Sequence, residues 1–101
     1  AKAVRKGYAK EHTALYGYYY KILKAQGKDA DGGAFDYVAN GKMVFGFAAV
    51  AYPAQYGSTG IMTFIVNHNG IVYQKNLGKN SARIAASMKL FNPDSSWQKV
   101  E

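Results

Sequence analysis

Hydrophobic positions along this chain change their period several times, and each change predicts an element. Val4, Tyr8 and Leu15 recur at helical spacing among Lys2, Arg5, Lys6 and Lys10, which predicts a short amphipathic helix over residues 1–16. Gly7 weakens that helix by roughly 1 kcal/mol relative to alanine. Residues 17–25, GYYYKILKA, are aromatic and β-branched enough to form a strand. The loop AQGKDADGGA follows, with Gly27, Gly32, Gly33, Asp29 and Asp31 supplying turn chemistry. Phe35 to Ala39 reads as a short strand closed by Asn40-Gly41, a dipeptide that favours a type I′ turn.

The next run, KMVFGFAAVAY, places Met43, Phe45, Phe47, Ala49 and Ala51 on one face at period 2. Val44, Gly46, Ala48, Val50 and Tyr52 take the other. Both faces are apolar, so a central strand covered on both sides is expected, ended by Pro53. Ile61–Val66 and Ile71–Gln74 flank Asn67-His68-Asn69-Gly70 and predict a hairpin. Phe45, Phe47, Phe64 and Val66 are expected as buried sheet positions. Ser81 can cap a helix over about residues 82–90, with Ile84 and Met88 on one face, and Pro93 prevents its continuation. Trp97 is expected to fold back over a sheet edge. The sum is an α+β fold: an antiparallel sheet over residues 17–101, an N-terminal helix over residues 1–16 and a short C-terminal helix.

Composition narrows the function classes. Cysteine is absent from the 101 residues, which excludes disulfides, thiol catalysis and Cys-based zinc sites. With 49% hydrophobic residues the chain can build a core, yet no stretch approaches 18 consecutive apolar residues, so no spanning helix is expected. The net charge of +7 is carried by the two ends around a nearly neutral middle. An acidic surface, nucleic acid or anionic polysaccharide is therefore a natural partner.

Candidate chemistry is sparse. His12 and His68 stand without an acid, a nucleophile or metal-ligand spacing beside them. Asp29, Asp31 and Asp36 form the one carboxylate cluster, but the distal Glu of a calcium loop is missing, so turn duty is expected. No phosphate-binding glycine motif occurs. Phe45-Gly46-Phe47 matches the aromatic centre of an RNA-recognition strand, but Met43, Val44 and Val50 break the rest of that pattern. Tyr18, Tyr19 and Tyr20, interleaved with Lys21 and Lys24, can stack bases or sugars or simply line a sheet. No catalytic, metal or cofactor residue is assigned. Arg5, Lys6, Tyr8, Lys10, Tyr18, Tyr20, Lys21 and Lys24 are the candidates for assembly or for an anionic partner.

The elements GYYYKILKAQG, DYVANGKM, AYPAQYG and TFIVNHNGIVYQKNLG, followed by FNPDSSW, closely resemble the C-terminal part of a bacterial family known as domain of unknown function 2950. The resemblance covers about residues 16–100 and implies an exported protein of the periplasm, outer surface or extracellular space; it supplies no catalytic residue. The strand, small-residue-Pro loop and N-G hairpin are also similar to the globular sheet of type IV pilins, without their long apolar helix. These readings lead to a non-enzymatic structural or interaction module of the cell envelope. In its pilin-like form it assembles with copies of itself or with a helix-supplying subunit, residues 1–16 serving assembly rather than the core. The alternative is a basic binding module for an anionic polymer.

Overall fold

A computed structural model of the chain describes residues 16–100. The expected N-terminal helix, with Arg5, Lys6, Tyr8, Lys10 and His12, thus falls outside the described residues apart from Tyr16. In chain order the first strands are β1 (Tyr18–Leu23), β2 (Ala25–Gln26), β3 (Phe35–Asp36), β4 (Val38–Ala39) and β5 (Lys42–Met43). Then come β6 (Ala48–Pro53), β7 (Thr63–Asn67) and β8 (Val72–Lys75). A 3-10 turn over Gly78–Asn80 leads into α1 (Ser81–Ala86), followed by β9 (Leu90–Phe91) and β10 (Gln98–Lys99).

The main sheet has the order β1-β6-β7-β8-β10, with every neighbouring pair antiparallel. A small sheet, β3-β2-β9, pairs β2 with β9 in parallel, and β4 and β5 form a separate ribbon. Local chemistry explains the turns. Asn40 and Gly41 both take positive φ, 53° and 78°, as a type I′ turn requires. In the β7–β8 hairpin Gly70 donates to Asn67 O at 2.9 Å, and the Asn67 side chain accepts from Asn69 N at 3.0 Å.

The architecture is mostly β, which corrects the α+β, pilin-like expectation. The only α-helix among the described residues is the six-residue α1, which stops at Ala86 instead of running to Leu90. Ser87 closes its end through backbone bonds to Ala85 O and Arg83 O. Leu90 and Phe91 then turn into β9, where Phe91 becomes almost fully buried beside β2. Burying an aromatic side chain in the core outweighs one more helical turn.

The long central strand is also corrected. Phe45 N donates to Tyr37 O at 3.0 Å, and Gly46 adopts φ +147°, so the chain bends and β6 begins only at Ala48. Phe45 and Phe47 are left 61% and 52% exposed rather than buried, and Phe64 and Val66 are half-buried. Phe47→Ala is therefore expected to cost no more than about 1 kcal/mol in a denaturant melt, against about 3–5 kcal/mol for a core aromatic.

The core lies on one side of the main sheet. Leu23, Ala48, Val50 and Ile65 point to it and meet Ala85 of α1 and Phe91 of β9. Trp97 packs against the rim of this core, with the Lys75 ammonium 5.8 Å from its ring centre. Lys21 also belongs to this side, opposite Val50. Its ammonium donates to Ala86 O and Met88 O at 2.5 and 2.7 Å, so a cation closes the carbonyl end of α1. Lys21→Met is expected to lower stability by about 1–2 kcal/mol, read as a shift in the denaturation midpoint.

Candidate docking surface

Side chains alternate across a strand, so β1 sends Tyr18, Tyr20 and Ile22 to the side opposite the core. Antiparallel register then builds that face outward from β1. Ala51 lies opposite Tyr20 and Ala49 opposite Ile22. Phe64 and Val66 stand opposite Ala51 and Ala49, and Gln74 and Val72 continue the two rows. Gln98 completes the first row on β10. None of these strand positions carries a formal charge.

The face has relief. Alanines on β6 leave a shallow trough between Tyr20 and Ile22 on one bank and Phe64 and Val66 on the other. Tyr18 is held at one corner: its hydroxyl donates to Met62 O at 2.9 Å, and its ring lies 6.0 Å from that of Phe64. Gly60 makes room for it, since a β-carbon there would stand 2.3 Å from the Tyr18 hydroxyl. Burial, then the neighbouring Tyr20, pushes the Tyr18 phenol above its ordinary pKa. Tyr20 and Ile22 are open to solvent, 44% and 55% exposed.

The candidate residues named from sequence are divided by this geometry. Tyr18 and Tyr20 share the open face, while Lys21 is turned to the other side and engaged by α1. Tyr19 also faces the core side, its ring 5.7 Å from Tyr52. Lys24 is exposed between β1 and β2, and its backbone carbonyl accepts from Tyr37 N. The alternating Tyr/Lys stacking platform is thus not assembled as one surface. Ile22, Ala49, Ala51, Phe64, Val66 and Val72 belong to this face and lie outside the candidate set named from the sequence. Period 2 puts Ala49 and Ala51 on one face of their strand, but it does not say which face the rest of the chain will cover.

His68 packs against two aromatic rings, those of Tyr37 and Phe47, and its Nδ1 lies 3.3 Å from Phe47 N. No group of three or more His, Asp or Glu side chains among the described residues is arranged to hold a metal. The Asp29 loop is tied down by Asn92, which donates to the carboxylate and accepts from Asp29 N. Gln26, almost fully buried, organises the same loop by donating to Asp31 O and Gly33 O and accepting from the Tyr37 hydroxyl.

A family model described as a protein of unknown function, DUF2950, matches residues 1–100. The chain belongs to this family. No curated protein and no solved structure matches the chain. Three cations of this DUF2950 chain lie off the open face: Lys79, Arg83 and Lys89 stand around α1 without an ion-pair partner among the described residues. No described helix is long and apolar enough to cross a membrane.

Proposed function

We propose that this DUF2950 chain is a non-enzymatic interaction module of the bacterial cell envelope whose open sheet face packs against another protein surface. The observation that carries the reading is the uncharged apolar face spanning β1, β6, β7 and β8. Covering an exposed side chain such as Ile22 is worth up to about 1.5–3 kcal/mol, and a contiguous patch of this kind marks an interaction site. The envelope part of this reading is supported by the resemblance to exported proteins. Photo-crosslinking in the producing cells tests the reading. A photoreactive phenylalanine analogue at Ile22 or Ala51 is expected to form protein adducts, while one at Lys89, off the face, is not. Absence of adducts at both face positions would sink it.

A second reading, a basic module for an anionic polymer, is supported by Lys79, Arg83 and Lys89, which have no carboxylate partner among the described residues. Binding to heparin that weakens with salt, and weakens further in Arg83→Glu/Lys89→Glu, is the result expected for it. Binding indifferent to both would remove this reading.

A further inference from the structure

We infer that the occupant of the open face is a second copy of this chain, in a two-fold sandwich that lays β7 of each copy over β6 of the other. The inference rests on the docking role just proposed and names its partner.

Relief on the face is self-complementary. The Ala49/Ala51 trough on β6 lies one strand spacing, about 4.8 Å, from the Phe64/Val66 ridge on β7. A two-fold axis parallel to the strands and midway between β6 and β7 exchanges the two strands. Phe64 and Val66 of each copy then enter the alanine trough of the other. The same operation carries β1 onto β8, so Tyr20 and Ile22 stand over Gln74 and Val72. One patch serves both copies and the assembly closes as a dimer, the commonest symmetric arrangement. Sheets packed face to face in this way stack about 10 Å apart.

Charge points the same way. Two chains of +7 repel each other, and a like-charged pair buried at the contact would forbid the assembly. None of the described strand positions of the face carries a charge, and cations elsewhere are screened over about 8 Å at physiological salt. An anionic polymer, by contrast, finds no cation at the described strand positions of this face to bind.

The area suffices for a reversible dimer. Four overlapping strands, about 19 Å across and about 17 Å long, bury about 500 Å² per copy once side-chain relief is included. The total of about 1,000 Å² lies at the lower edge of specific interfaces, so dissociation constants on the order of 10–100 μM are expected.

Sedimentation velocity on the full chain across that concentration range tests the inference. Wild type is expected to pass from monomer to dimer. Ala51→Arg, which buries an unpaired charge in the trough, should weaken dimerisation by about 100-fold or more. Ile22→Lys, at an exposed position tolerant of change, should weaken it too with an unchanged melting curve, while Arg83→Glu off the face should not weaken it. The chain has no cysteine, so mixing Ala51→Cys copies with Phe64→Cys copies should give more product with a short bis-maleimide than either variant alone. A wild type that stays monomeric, or a dimer indifferent to both Ala51→Arg and Ile22→Lys, would overturn the inference. Face adducts with a different protein, or with residues 1–15 of the same chain, would overturn it as well. Adducts with a different protein leave the docking reading standing, whereas absence of any adduct removes both.

Discussion

Tyr37→Ala is expected to destabilise the fold by about 3–5 kcal/mol, the range for removing a large core aromatic. Tyr37 is fully buried and sits where several parts of the chain converge. Its ring meets Phe35 and His68 edge-on, its hydroxyl donates to Gln26 at 2.9 Å, and its backbone bonds Lys24 and Phe45. Truncation leaves a cavity and strips the buried Gln26 carbonyl of this donor. Tyr37→Phe separates the two effects: the ring remains, and the loss expected at neutral pH falls to about 1–3 kcal/mol for the unsatisfied Gln26 oxygen.

The same phenol gives a pH signature. Burial raises the Tyr37 pKa above its ordinary value of 10.0, partly offset by the Asn67 side chain. The neutral phenol is the form the fold favours. Its stabilising contribution is complete below pH 10 and is lost as pH rises through the ordinary value toward the folded one. Tyr18, also raised, acts with the same sign. Denaturation midpoints measured at pH 8 and pH 10.5 should fall for wild type, and fall less for Tyr37→Phe. An equal fall in the two proteins would show that Tyr37 ionises alike in the folded and unfolded chains.

Gly46→Ala is expected to cost about 2–4 kcal/mol, from strain at an unfavourable φ and from crowding. Gly46 holds φ +147°, and a β-carbon there would lie 2.6 Å from the His68 ring and 3.1 Å from Tyr37. The exposed His68 ring can swing aside only by giving up its contact with Phe47 N, whereas Tyr37 is packed and cannot yield. The backbone strain has no such outlet. A double-mutant cycle with His68→Ala tests this partition: relief of no more than about 1 kcal/mol is expected in that background. Full recovery would locate the whole cost in the ring and remove the argument from φ.

Residue types in short stretches settle a large part of this protein. Asn40-Gly41 and Asn69-Gly70 place two turns, Pro53 ends β6, and the Tyr-rich run Tyr18–Leu23 is a strand, all through local backbone preferences. Family membership is equally legible, because the joined motifs are contiguous in the chain. Other features depend on residues far apart. Period 2 sorts Ala49 and Ala51 from Ala48 and Val50, but α1 and β9 cover only one of those sets, and they come from more than thirty residues downstream. Lys21 looks like a surface cation until the carbonyls of Ala86 and Met88 reach it. The helix expected over residues 82–90 gives way at Leu90 because β2, some 65 residues earlier, offers Phe91 a buried place. Phe45 and Phe47 sit in an apolar alternating run, yet the bond to Tyr37 and the φ of Gly46 turn them out of the sheet. Alternation and turn chemistry act between neighbours, whereas the choice of which face is buried is made by whichever distant element packs there, and among the described residues that choice leaves the Tyr20 and Ile22 side of the sheet uncharged along its strands and open.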